Sequence, residues 1–304
     1  MKGFKDLSGS SKNLLQKKII SKAFSYHSEG NITEAGKNYQ YFLDQGFKDP
    51  RVFSNYAIIL KELTKFDEAL ELINQSIKIY PKRAESFSIL SDILRKLGRL
   101  DDAKKSLNEA ININPNRANY YLNLGTIYME LKLQIKAKES FEKAISINPG
   151  LKEAHINMAS IFISLNNLNK AEKSIKKAIK INPKCEISYY NLSRIYFEQG
   201  KKKEAEEAIM KAIKIKPFYP QAYNNLGIIL KELDRSLEAE VSTRKAIEMD
   251  NNYVEAYYNL SNILRFIGKK DEALVCSQKI MKLRPWSIIG SYGLNQKCDI
   301  NSIS

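Results

Sequence analysis

The sequence predicts an all-α solenoid built from eight 34-residue helix–turn–helix repeats, and three ladders of residues carry that prediction. Prolines recur every 34 residues at Pro81, Pro115, Pro149, Pro183, Pro217 and Pro285, with Asn251 on the vacant rung. Alanines recur at the same interval at Ala35, Ala69, Ala103, Ala137, Ala171, Ala205, Ala239 and Ala273. A third ladder is always small: Ala23, Ala57, Ser91, Gly125, Ala159, Ser193, Gly227 and Ser261. Composition does not space eight alanines evenly; a copied unit does.

Counting back from the prolines places the repeats at 16–49, 50–83, 84–117, 118–151, 152–185, 186–219, 220–253 and 254–287. Within each, apolar residues recur at repeat positions 4, 7, 8 and 11, then at 20, 24, 27, 28 and 30. Spacings of three and four mark two amphipathic helices, each burying one stripe. A turn residue stands between them at position 15: Gly30, Gly98, Gly200 and Gly268, with Asn166 and Asp234 in two other repeats. These residue types tolerate the left-handed conformation that closes many helices. The proline at position 32 stops the second helix, because it lacks an N–H and its ring clashes with a continuing helix.

The small residue at position 8 and the alanine at position 20 face each other across the hairpin and let its helices approach closely. Large residues at position 4 (Phe53, Phe87, Tyr121, Tyr189, Tyr223, Tyr257) then fill the gap against the neighbouring repeat. The first repeat departs from the pattern with Lys22 at position 7 and Phe47 in place of proline, as suits a polar-edged cap. Thr243 and Ser277 at position 24 are expected to loosen the last two repeats. Residues 1–15 read as a polar extension and 288–304 as a tail. No clean amphipathic capping helix follows Pro285, so the tail folds back over the last repeat, another domain or subunit covers it, or the end frays. Self-association through that end is one expectation.

Of the 304 residues 43% are apolar and 27% charged, the balance of a water-soluble chain. No run approaches the roughly 18 apolar residues of a membrane span. The start MKGFKDLSGSSKNLLQ lacks the apolar core of a secretory signal, so the cytoplasm is expected. Cys185, Cys276 and Cys298 are odd in number and fall at unrelated repeat positions, indicating neither a disulfide framework nor a metal site. The net charge of +15 points either to an anionic partner or to the Lys-, Ile-, Asn- and Tyr-rich usage of AT-rich codons.

With the repeat defined, the chain resembles the tetratricopeptide repeat family: 34 residues, large at 4, Leu at 7, small at 8, Ala at 20, Ala at 27 and Pro at 32. Tyr121-Leu122-Asn123-Leu124-Gly125, then Ala137, Phe141, Ala144 and Pro149, match that pattern. The resemblance covers about nine-tenths of the chain and implies a right-handed superhelix. In that family the first helix of each repeat lines the concave face, with positions 2, 5, 6, 9, 12 and 13 pointing into it. Position 6 reads Ser21, Asn55, Ile89, Asn123, Asn157, Asn191, Asn225 and Asn259. Asparagine makes up 26 of 304 residues, so eight positions should collect fewer than one; they collect six. Each amide offers two donors and an acceptor, and a row of them can hold the backbone of an extended polypeptide with little regard for its side chains. Asparagine is also a mediocre helix former, so a row of it within helices asks for a reason.

Such a row resembles the superhelical arm of O-linked N-acetylglucosamine transferases, where it holds substrate polypeptide. The family's carboxylate clamp wants lysine at position 5, which here holds Ile20, Ser54, Ser88, Leu122, Ile156, Tyr190, Asn224 and Tyr258, so the clamp is not expected. Electropositive contacts to a ligand are expected instead from Lys61, Arg95, Arg194, Lys231 and Arg265 at positions 9 and 12. Most other lysines sit on second helices beside acidic residues (Glu139, Glu172, Glu204, Glu206, Glu207), the dress of a solvated face. Nucleic-acid binding is disfavoured, because the tyrosines are taken up by core positions instead of a stacking stripe. His27 and His155 stand some four repeats apart and form no catalytic pair. No phosphate-loop, metal or triad pattern is present, so neither enzyme chemistry nor a cofactor is expected. The expected function is a scaffold that binds an extended protein or peptide ligand. The alternative is the substrate-recruiting arm of a transferase system, truncated or acting in trans.

Overall fold

In the computed structural model, residues 9–284 are described and every regular element among them is a helix. Contacts divide the chain into two compact halves, Met1–Pro149 and Gly150–Ser304. The first half holds four hairpins: α1 (Gly9–Ser28) with α2 (Ile32–Asp44), α3 (Pro50–Glu62) with α4 (Phe66–Ile79), α5 (Ala84–Lys96) with α6 (Leu100–Ile113), and α7 (Ala118–Glu130) with α8 (Gln134–Ile147). The second half holds four more: α9 (Lys152–Ser164) with α10 (Leu168–Ile181), α11 (Glu186–Glu198) with α12 (Lys202–Ile215), α13 (Pro220–Glu232) with α14 (Ser236–Met249), and α15 (Val254–Phe266) with α16 (Lys270–Leu283). Within each half the two helices of a hairpin pack on each other and the second helix packs on the next hairpin's first, the arrangement of an α-solenoid. The first helix begins at Gly9, inside the segment read as a polar extension, and Leu15 packs on the core of the first hairpin. Pro285, Trp286, Cys298 and the tail 288–304, with the self-association expected of it, lie outside the described residues.

The alanine ladder is the centre of each hairpin: all eight residues at position 20 are buried. The second helices of repeats two to seven stop at the same register, and α14 ends at Met249 although Asn251 stands where the others have proline. The C-cap is therefore set by the repeat geometry, and proline reinforces it.

All eight residues at position 15 adopt positive φ, from 53° at Asn166 to 85° at Gly268. The hydrogen bonds close in the same way at each; Gly98 N–H donates to Arg95 O and Arg99 N–H reaches back to Leu94 O. Two of the eight, Thr64 and Lys132, both at φ 60°, carry no sequence signal for this conformation. A left-handed conformation costs an L-residue roughly 1–2 kcal/mol, most at a β-branched side chain. Thr64→Gly is accordingly expected to raise stability by about 1 kcal/mol, part of the relief being offset by the freer unfolded chain. Chemical denaturation checks this, and an unchanged or lower midpoint contradicts it.

Thr243 and Ser277 do not loosen the core as the sequence suggested. Thr243 is fully buried with its hydroxyl donating to Ala239 O at 2.8 Å. Ser277 donates to Ala273 O at 3.0 Å and lies 3.3 Å from Ser261 Oγ across the hairpin. A short polar side chain that returns its proton to its own helix backbone leaves nothing unsatisfied.

The second half carries a further inter-repeat device. Glu172, Glu206 and Glu240, all at position 21, form ion pairs with Lys201 (3.6 Å), Arg235 (2.7 Å) and Lys269 (2.9 Å), all at position 16 of the following repeat. Of the acidic residues expected to offset lysines on their own helix, Glu172 does so with Lys176, whereas Glu206 turns to the next repeat. Glu240 is the most buried of the three; burial alone would raise its pKa, but hydrogen bonds from Lys269 and Arg244 outweigh this and hold it below the usual carboxylate value.

Candidate functional site

First helices of successive repeats adjoin at α3–α5, α5–α7, α9–α11 and α13–α15, and α11 and α13 line a common cavity, so positions 2, 5, 6, 9, 12 and 13 form a strip along the seams between them. The seam is directly visible where position-6 asparagines cross it. Asn123 Nδ2 donates to Asp92 Oδ1 of the preceding first helix at 3.3 Å. Asn259 Nδ2 donates to Asn224 Oδ1 at 2.9 Å. Asn55 Nδ2 reaches Tyr39 OH at 3.2 Å, and the same phenol lies 3.0 Å from His27 Nδ1, which makes His27 part of the packing of the first hairpins. Three of the six asparagines are thus engaged inside the fold.

The other three are not. Asn157, Asn191 and Asn225 make no side-chain hydrogen bond among the described residues, and they stand in consecutive repeats of the second half. The sequence gives all six the same appearance; neighbours at positions 5, 9 and 24 of the preceding repeat decide which amides are engaged. Asp92, Asn224 and Tyr39 supply acceptors to three of them, while Thr126, Ser160 and Arg194 occupy position 9 before or beside the others.

The five basic residues divide in the same way. In the first half, Arg95 is paired with Glu130 at 2.7 Å, and Lys61 lies in the field of Asp92. In the second half, Arg194 and Arg265 are exposed, and neither they nor Lys231 forms an ion pair among the described residues. The acidic residues on the same strip are mostly answered from outside it: Glu153 by Lys152 (3.6 Å), Glu232 by Lys202 (3.1 Å) and Glu255 by Arg284 (3.1 Å). That leaves Glu198 as the carboxylate of this strip in the second half without an ion-pair partner among the described residues.

Asp92 is the most perturbed acid of this strip. Burial pushes its carboxyl pKa above the ordinary value, with Lys61, Arg95 and Lys96 pulling it back. A carboxyl whose folded pKa is raised gives most stability when protonated and loses that contribution as pH rises through the folded pKa. Asp92→Asn should therefore raise the melting temperature at neutral pH, with the gain shrinking to nothing below the usual carboxylate range. A melting profile in which the variant gains nothing at neutral pH contradicts this.

Two features of the second half were not read from the sequence. Tyr190 and Tyr219 approach to 5.4 Å between ring centroids, and Tyr253 receives Asn224 Nδ2 at 3.5 Å. Burial, then the neighbouring Tyr190 or acidic groups, pushes the phenols of Tyr219 and Tyr253 up to about 12, so both stay protonated donors at neutral pH. The other feature is a cavity of about 180 Å³ between α11 and α13, lined by Ser193, Arg194, Phe197, Glu198, Asn225, Ile228 and Ile229. The signal for it was present at positions 9, 12 and 13, where the apolar Phe197 and Ile228 sit among polar residues. No group of three or more His, Cys, Asp or Glu able to hold a metal occurs among the described residues, and Cys185 and Cys276 are both buried. No described helix is long and apolar enough to cross a membrane.

Comparison with known proteins finds the same repeat family, in the same register over residues 118–185. A tetratricopeptide repeat profile matches residues 118–151, 152–185 and 187–219, and a second matches 208–241 and 243–275. A TPR repeat profile matches 92–132. No match was found among curated proteins. Among solved structures, a chain of the APC/C hetero-tetramer Cut9–Hcn1 superposes with TM-score 0.67 at 12% identity over 89% of this chain. This chain spans about half of that one, 53%. A tetratricopeptide repeat protein from Parabacteroides merdae gives TM-score 0.64 at 19% identity, covering 82% of this chain and 98% of its own. Pseudomonas aeruginosa pilF gives 0.60 at 16% identity, covering 67% and 93%. At these identities the likeness is one of fold.

Proposed function

The chain belongs to the tetratricopeptide repeat family, and from that premise we propose that it is a protein-interaction scaffold that captures an extended polypeptide along the first helices of its second half. One observation carries the reading: Asn157, Asn191 and Asn225 occupy the same position in three consecutive repeats, and none has a hydrogen-bond partner within the described fold. Each amide can donate to and accept from a backbone peptide group, so three in register form a short template for a chain lying across the seams. Side chains at positions 2, 5, 9, 12 and 13 would then set specificity.

The alternatives for these amides are to cap their own helix backbone or to face water without a task. Neither accounts for retaining a poor helix former at the same position in three consecutive helices. The amides, phenols and guanidinium or ammonium groups gathered on this face are suited to holding a ligand. A crosslinking pull-down comparing the wild-type chain with the triple variant Asn157→Ala, Asn191→Ala and Asn225→Ala tests the proposal. Undiminished capture by the variant would show the asparagine row to be structural.

A further inference from the structure

We propose that the second half selects an acidic segment carrying one apolar anchor residue, an inference that rests on the groove reading above and adds the chemistry of the ligand. Charge supplies the first argument. Arg194, Lys231 and Arg265 fall at positions 9 and 12 of three successive repeats, next to the uncommitted amides, and none is neutralised by an ion pair among the described residues. Glu153, Glu232 and Glu255, which share the strip, are each paired with a basic residue outside it. The first half differs at the corresponding places, where Glu130 answers Arg95 and Asp92 lies beside Lys61. A strip whose cations are left open while its carboxylates other than Glu198 are paired is complementary to carboxylates on the ligand.

Shape supplies the second argument. The cavity between α11 and α13 measures about 180 Å³ and has Phe197, Ile228 and Ile229 among its walls, with Arg194 and Asn225 also lining it. The buried Ser193 hydroxyl, also on its wall, has no hydrogen-bond partner among the described residues. An apolar cavity of roughly 150 Å³ accommodates benzene, so this one has room for a leucine- or phenyl-sized side chain. Glu198 shares the wall and disfavours a carboxylate there, which assigns the cavity to the apolar residue and the open cations to the acidic ones. Asn225 lines the cavity while belonging to the amide row, so a backbone held by the row passes the cavity mouth at the point where a side chain can enter.

Three short synthetic peptides test this against the full chain by calorimetric titration: one rich in glutamate around a single central leucine, one with glutamine replacing every glutamate, and one with alanine replacing the leucine. The first is expected to bind about tenfold more tightly than the second, from three modest exposed ion pairs. It is expected to bind about tenfold more tightly than the third, from the lost apolar burial. The triple variant Arg194→Gln, Lys231→Gln and Arg265→Gln, all at solvent-accessible positions, is expected to lose the preference for glutamate and keep its affinity for the glutamine peptide. Equal affinity for the glutamate and glutamine peptides, or no binding of the glutamate–leucine peptide, overturns the inference. The groove reading fails separately, if the asparagine triple variant binds the glutamine peptide as tightly as wild type does. Tighter binding of single-stranded polyuridylate than of the glutamate–leucine peptide, lost in the same charge variant, would reassign the strip to nucleic acid and also overturn it.

Discussion

Replacing Gly125 by alanine is expected to lower stability by about 3 kcal/mol. A β-carbon at Gly125 would lie 2.4 Å from Cε1 of Phe141, with Cδ1 at 2.6 Å and Cζ at 2.8 Å, contacts that real side chains do not make. Phe141 is fully buried, so its ring has no free volume to move into and the strain passes to the helix pair. The seventh repeat gives a graded comparison. At Gly227 the close atom is the Thr243 hydroxyl at 2.1 Å, with Ala239 O at 3.2 Å behind it. A threonine can change rotamer, at the cost of its bond to Ala239, so Gly227→Ala should cost less than Gly125→Ala. The double variant Gly125→Ala with Phe141→Leu should recover part of the loss. Repeats two, three, five and six, which already carry a β-carbon at position 8, place an aliphatic residue at 24, as with Leu107 opposite Ser91 and Ile175 opposite Ala159. Urea denaturation of the three variants beside the wild type checks the order, and equal losses at Gly125 and Gly227 would contradict the contact argument.

The comparison between sequence and structure is uneven for a physical reason. The residues that build each hairpin act on neighbours within their own repeat, so a constant interval exposes them: the alanine ladder and the small residues at position 8 sit where the spacing puts them. The turn at position 15 was legible only where glycine, asparagine or aspartate marks it. At Thr64 and Lys132 the surrounding hairpin forces the left-handed conformation on residues that would not choose it. The loosening expected at Thr243 and Ser277 fails because it judged side chains by polarity alone, while Thr243 Oγ1 and Ser277 Oγ return their protons to the carbonyls of Ala239 and Ala273. The asparagine row was legible as a row. Which of its members are engaged was not, because that depends on Tyr39, Asp92 and Asn224 in preceding repeats. The same holds for Arg95, whose partner Glu130 lies in the next repeat. The salt-bridge ladder Glu172–Lys201, Glu206–Arg235 and Glu240–Lys269 was within reach of the sequence, as acid at position 21 and base at position 16 of the following repeat. It stayed hidden because charges were paired within helices, at spacings of three and four.

The triple substitution of Asn157, Asn191 and Asn225 by alanine is expected to weaken capture of an extended ligand about a hundredfold while leaving the fold at least as stable. Each amide–backbone hydrogen bond contributes about 1 kcal/mol net, so three together amount to about 3 kcal/mol, or two powers of ten in Kd. Stability should not fall in proportion, because none of the three makes a hydrogen bond within the described fold and alanine is the better helix former. The remaining three asparagines supply the opposite case. Asn55, Asn123 and Asn259 are bonded to Tyr39, Asp92 and Asn224, so replacing them by alanine breaks bonds between neighbouring repeats. That set should lower the unfolding free energy by about 0.5–1.5 kcal/mol per bond. Asn55→Ala and Asn123→Ala, both in the first half, should leave ligand affinity within about twofold, since their amides were already taken. Measuring thermal unfolding and binding on both triple sets gives a crossed pattern: one set loses affinity and keeps stability, the other loses stability first. If both sets lose stability alike and neither loses affinity, all six amides serve packing, and the second half holds its partner by other side chains.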